Sequence, residues 1–258
     1  MAGGFYIERA SILHRLHPVT KIFLLLMSFA AALLLEHPLW LIGLWAVFMA
    51  AGARTGVFKG LRRVLWILVL IGAASFAIWT FAYGGQTVVF RLGPLAATRE
   101  GMMFGAGMGL RLDLMVFCGL IFLTTTMIEE FTEGLTRLGL PFPAAFALSL
   151  SFRLIPLFAD TARTIIDAQR SRGLSPASGG PLKKARNYIP LLAPVFSSAL
   201  RRTDNLAIAL ESRGFGRTGR RGRHREHRAG LADAAALVFM GALLALEVWL
   251  RWKGLGVV

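Results

Sequence analysis

The chain has 258 residues, 55% of them hydrophobic, and a mean hydropathy of +0.60. An ordinary soluble domain is less apolar, and here the apolar residues gather in blocks of membrane length. The formal charge of +15 is unevenly placed, so the composition excludes a soluble globular domain and points to a polytopic membrane protein with one basic face.

In chain order, Met1–Pro18 carries Glu8, Arg9, His14, Arg15 and His17 and has no apolar core, so no cleavable signal peptide is expected there. Val19–Leu35 follows with a single charge, Lys21, and Pro38–Ala53 with none; together they predict two short paired spans joined at Glu36-His37-Pro38. Val64–Tyr83 is a full uncharged span. Residues 84–100, GGQTVVFRLGPLAATRE, are the one stretch that predicts strand or loop, with Gly84-Gly85 and Gly93-Pro94 as turn signals. The fourth span is Leu114–Ile128, extended back to Gly101 if Arg111 and Asp113 are tolerated, and the fifth is Leu231–Leu250, broken by Asp233 and Glu247. Gly101, Gly105 and Gly109 recur every four residues and clear one helix face. That face serves either close packing within the chain or another subunit. Cys118 lies alone inside a span, so no intramolecular disulfide can form.

Between Glu129 and Gly230 there are 17 Lys and Arg against 8 Asp and Glu, and no uninterrupted run of membrane length. The loop between spans two and three adds Arg54, Lys59, Arg62 and Arg63. The positive-inside bias therefore places the N-terminus, that loop and the 129–230 segment in the cytoplasm. Five spans then leave Arg251 and Lys253 outside, against the bias; a crossing or half-crossing near Phe142–Leu157 would reverse that outcome.

Two helices are predicted in the basic segment. From Pro190 to Arg213 the positions Leu192, Val195, Ala199, Leu206 and Leu210, with Thr203 between, form one apolar stripe. Asp160–Arg172 shows the same separation of Ile165 and Ile166 from Arg163, Asp167 and Arg170. Both helices end alike: AQRSRGL at 168–174 and ALESRGF at 209–215. Gly173 and Gly214 can adopt the left-handed conformation that closes a helix, which leaves Arg172 and Arg213 at the negative end of each helix dipole. A single such ending is an ordinary cap. Two matched endings, each offering an exposed guanidinium with several fixed donors, suit docking into an acidic or carbonyl-rich groove.

Several chemistries are missing from the sequence. No GxxxxGK[ST] cradles a nucleotide phosphate, and there is no HExxH, CxxC or GxSxG. His224-x-x-His227 has ligand spacing but sits in the basic tract Arg217–Arg228, which is read as a topology anchor for anionic lipid headgroups; neither a metal, a cofactor nor nucleic acid is expected. Arg111 and Asp113 are two residues apart and do not face each other on a helix. A stand-alone secondary transporter or channel would need polar groups converging at mid-membrane. A membrane lipid transferase would need an acidic or histidine cluster, and Glu129-Glu130, expected at a solvated edge, is the sole adjacent acidic pair.

These residues resemble a known family, the transmembrane T component of energy-coupling factor importers (the EcfT/CbiQ family). SILHRLHPVTKIFLLL (Ser11–Leu26) is similar to the family's opening His-x-Leu-x-Pro-x-x-Lys, and LTTTMIEEFTEGLTRLGLPFP (Leu123–Pro143) to its passage out of the membrane. FRLIPLFADTARTIIDAQRSRG (Phe152–Gly173) and IPLLAPVFSSALRRTDNLAIALESRGFG (Ile189–Gly216) are similar to its two Arg-Gly helix ends.

The resemblance implies two long amphipathic cytoplasmic coupling helices that cross below the membrane. It also implies two ABC-type ATPase subunits docked on Ser171-Arg172-Gly173 and Ser212-Arg213-Gly214. A separate membrane-embedded S subunit would carry a vitamin or a nickel or cobalt ion. The expected fold is all-α and polytopic, with about five transmembrane helices plus the two coupling helices. The expected divisions are a membrane unit over 1–128, a coupling-helix region over 129–216, a basic linker over 217–230 and a last span with the C-terminus over 231–258. The expected location is the cell membrane, multi-pass, and the ATPase activity would reside in the partners.

Overall fold

The computed structural model describes residues 12–35, 37–55, 57–85, 87–92, 95–173, 180–216 and 230–253. The described residues form a short 3-10 turn at Ile12–Arg15 followed by α1 (Pro18–Leu34), α2 (Pro38–Thr55) and α3 (Phe58–Ala82). Then come the strands β1 (Val88–Leu92) and β2 (Leu95–Thr98), α4 (Arg99–Thr125), α5 (Ile128–Arg137), α6 (Phe142–Ser171), α7 (Pro181–Ser212) and α8 (Leu231–Trp252). The all-α polytopic fold is as expected. Its one departure among the described residues, the antiparallel β1–β2 hairpin, falls in the 84–100 stretch. Among the described residues, four helices are long and apolar enough to cross a membrane: Leu65–Ala82, Arg99–Thr125, Phe142–Ser171 and Leu231–Trp252; the third of these, α6, lies in the segment whose sequence predicts no membrane-length run. Pro18–Leu34 and Pro38–Ala53 are shorter apolar helices.

The chain divides into two compact units, one of Gly4–Ala145 with His227–Val258 and one dominated by Phe146–Glu226. In the first, α1, α2 and α4 enclose a core of Ala31, Ala32, Leu44, Leu114 and Cys118. Phe117 is fully buried and stacks on Trp45 at 5.1 Å between centroids. The α3–α4 pair is the closest-packed. A Cβ built on Gly101, Gly105 or Gly109 would lie 2.8, 2.9 or 3.0 Å from a backbone carbonyl of α3, those of Thr80, Phe76 and Gly72. The glycine face is therefore filled by the chain's own α3, and the alternative of a face kept for another subunit does not hold.

The ends of this bundle sort cleanly. At one end the start of α1, the end of α4 and the start of α8 meet: His17 N–H donates to Asp233 Oδ1 at 2.7 Å, and Lys21 reaches the Thr125 carbonyl at 2.8 Å. At the opposite end the last carbonyls of α1 receive two cations. Arg111 donates to Leu35 O at 2.7 Å and Arg251 to Leu34 O at 3.2 Å. Thus α1 and α8 run parallel, and Arg251 closes the negative end of a neighbouring helix. Arg111 and Asp113 also part company: Arg111 turns to α1, while Asp113 lies over Gly72 of α3.

In the second unit both helices are longer than the periodicity marked. α6 runs unbroken through Pro156, and α7 begins at Pro181 and continues through Pro190 and Pro194. Each internal proline forfeits one backbone hydrogen bond, yet the flanking turns keep the helical path. The apolar stripe is correctly placed in part: Val195, Ala199, Leu206 and Leu210 are half-buried while Arg201, Arg202, Asp204 and Asn205 are exposed. Phe146 and Phe215 meet at 4.6 Å, and Arg202 approaches Thr161 Oγ1 at 3.5 Å. Fifteen residues along α6 thus correspond to thirteen backward along α7, so the two helices have opposite sense.

Candidate functional site

The two Ser-Arg-Gly endings close in the same way as far as both are described. Gly173 has φ +89° and Gly214 has φ +76°. The Gly173 N–H returns to Arg170 O at 2.9 Å, and the Gly214 N–H to Glu211 O at 2.8 Å. At the second copy the Phe215 N–H also reaches Leu210 O at 2.9 Å, completing the paired bonds of a Schellman closure. Leu174, its counterpart, lies outside the described residues. Each serine turns back onto its own helix, Ser171 Oγ to Asp167 O at 3.2 Å and Ser212 Oγ to Ala209 O at 2.9 Å. The serine hydroxyls are spent on helix carbonyls, so the outward-facing group at each end is the arginine.

Arg172 and Arg213 are both exposed, and among the described residues neither guanidinium has an ion-pair partner. Because α6 and α7 have opposite sense, the two ends face away from each other. Phe146 to Ser171 alone rises about 37 Å at 1.5 Å per residue. The structure therefore does not bring the two copies together; it builds two separate helix ends closed in the same way. A cation at a helix C-terminus, with donors left over, can bind a carboxylate or a row of carbonyls. The motif's aromatic, Phe215, seats the end of α7 on the start of α6 through Phe146.

A second polar constellation was legible only as a motif. Lys21 is 5% exposed, and its Nζ donates to His14 O at 3.0 Å, Thr125 O at 2.8 Å and Glu130 Oε2 at 2.7 Å. Glu130 is therefore an ion-pair partner rather than a solvated edge residue, whereas Glu129 is exposed. Arg137 bonds to the His17 ring and to Glu133 at 2.8 Å. Asp233 accepts from Gly230 N–H at 2.8 Å as well as from His17. His224, His227 and the Arg217–Arg228 tract lie outside the described residues. Among those described, no three His, Cys, Asp or Glu side chains gather where a metal ion could sit.

The family model described as cobalt transport protein (CbiQ) matches residues 9–225. The energy-coupling factor transporter transmembrane protein EcfT of Listeria innocua is 34% identical over 97% of this chain and 98% of its own. Its namesake in Thermosediminibacter oceani is 35% identical over 96% and 97%. A putative ABC transporter ATP-binding protein of Bifidobacterium longum is 30% identical over 92% of this chain but only 32% of its own length. With the matched residues spanning both Arg-Gly helix ends and the bundle that precedes them, the chain belongs to the CbiQ family, as a transmembrane component of an energy-coupling factor transporter.

Proposed function

We propose that this chain links ATP hydrolysis by two ABC-type ATPase subunits to uptake by a separate membrane-embedded S subunit. Arg172 and Arg213 are the two docking points, with Ser171, Gly173, Ser212 and Gly214 as the scaffold that presents them. The single observation that carries this reading is the pair of matching helix ends, each closed at a left-handed glycine and each exposing one arginine. The Bifidobacterium relative lends support: a polypeptide named for ATP binding contains a segment similar to nearly the whole of this chain, with most of its length outside the match.

The S subunit carries a vitamin or a nickel or cobalt ion in this reading. The apolar side chains that α7 leaves exposed, among them Ile189, Leu192, Phe196 and Leu200, support its contact with a membrane-embedded partner or with lipid. The N-terminus is cytoplasmic, as is the 129–216 coupling region, and the 217–230 linker anchors on anionic headgroups.

Purification of the tagged chain from its native membrane in mild detergent tests the docking role. Wild type is expected to bring down two P-loop ATPases, and the Arg172→Ala/Arg213→Ala double variant to lose them while still inserting into the membrane. Undiminished ATPase recovery with the double variant would sink the assignment. Recovery of no ATPase with wild type would favour a stand-alone transporter.

A further inference from the structure

α5 is held along its whole length by the opening of α1. In its first turn, Glu130 pairs with Lys21. In the middle, Gly134 lies so close to α1 that a Cβ there would be 2.8 Å from Ile22 Cδ1 and 3.3 Å from the Pro18 carbonyl carbon. In its last turn, Arg137 bonds to the His17 ring, and His17 is itself tied to α8 through Asp233.

Lys21 occupies the joint between two helices. α4 ends at Thr125 and α5 starts at Ile128. The lysine places its charge at the carbonyl end of the first and against a carboxylate in the first turn of the second; the cation complements the dipole of α4 and Glu130 that of α5. Its third bond, to His14 O, ties the joint to the residues ahead of α1. Three charge-assisted bonds of 2.7 to 3.0 Å fix direction as well as distance. An apolar contact in the same place would let α5 slide.

The covalent path gives this joint its consequence. Only Leu138–Pro141 separate α5 from α6, a link that reaches at most about 14 Å. α5 is thus a short covalent route between α6 and the membrane helices.

We propose that α5 is a clamp that passes motion of α6 and α7 to the membrane helices, and that Lys21 is the positioning residue that keeps it closed. The proposal rests on the docking reading above. Its test compares backbone hydrogen–deuterium exchange in the complete complex, as purified and after trapping with ATP, Mg²⁺ and vanadate. In wild type, trapping is expected to change exchange in α6–α7 and also across residues 120–137. In Lys21→Met, the change at 120–137 is expected to fall by about five-fold or more, the lower range of ordinary coupling. The α6–α7 change and ATP turnover are expected to persist, and Lys21→Arg to restore the response.

A full response at 120–137 in Lys21→Met would overturn the clamp, and so would a wild-type response confined to α6–α7. Glu130→Gln keeps a hydrogen bond and removes only the ion pair. It is expected to weaken the response part-way, and it takes over the test if Lys21→Met does not assemble; a full wild-type response in Glu130→Gln would then overturn the proposal. Failure of the docking reading looks different: wild type would bring down no ATPase or show no nucleotide-dependent change in α6–α7.

Discussion

Gly105→Ala sets two effects of known size against each other. Alanine favours a helix over glycine by about 1 kcal/mol, so a neutral site should be stabilised. At Gly105, however, the added Cβ would stand 2.9 Å from Phe76 O, where ordinary contact starts at 3.4 Å. The obstacle is a helix carbonyl, which cannot rotate aside as a side-chain tip can. α3 must therefore withdraw by about 0.5 Å, and because Gly101 and Gly109 are at the same limit, contact loosens over three turns. Overpacking of this kind costs about 1–3 kcal/mol, so the net change is a loss of up to about 2 kcal/mol. For a chain of this size that lowers the melting midpoint by up to about 8 °C. Cys118, the one cysteine of the chain and 4% exposed, makes the assay simple: a fluorogenic maleimide reports unfolding in detergent during a thermal ramp. Gly43→Ala is the control, since nothing lies within 4 Å of its Cβ position, and its midpoint should hold or rise. Gly105→Leu should lose more than Gly105→Ala. If Gly105→Ala were stabilised as much as Gly43→Ala, the close approach of α3 and α4 would be refuted.

Two further outcomes follow from the helix ends. Arg251→Ala removes the donor at Leu34 O and should cost about 0.3–1 kcal/mol, a midpoint drop of a few degrees in the same thiol assay; no change would mean that α1 is closed by other groups. Gly214→Ala forces a side chain to φ +76°, which costs about 1–2 kcal/mol, whereas Gly214→Asn tolerates that conformation better. ATPase recovery should therefore fall for Gly214→Ala and be partly retained for Gly214→Asn, and equal recovery from both would separate docking from the left-handed turn.

Much of the fold was legible because its signals are local. Apolar run length marked α1 to α4 and α8, and Gly173 and Gly214 announced helix closure by residue type alone. The α6 and α7 boundaries were less so, because Asp160 and Pro190 look like starts, whereas the helices begin at Phe142 and Pro181. A proline breaks one bond, and a long helix can absorb that loss when its other turns are intact. The partners of Lys21 were invisible because they are distant in the chain: Thr125 and Glu130 are more than a hundred residues away, and two of its three acceptors are backbone carbonyls, which every residue has. The spacing of the glycines in α4 said that a backbone comes close; only the packing says that it belongs to α3.

The opposed sense of α6 and α7 has a consequence for symmetry. Two antiparallel helices with the same ending are related, locally, by a half-turn about an axis perpendicular to both. A single asymmetric polypeptide thereby imitates a two-fold dimer at its surface. Partners that form a two-fold pair can each meet the same ending in the same orientation. In the docking reading, the duplication of one short ending would let one copy of this chain serve where two are otherwise required.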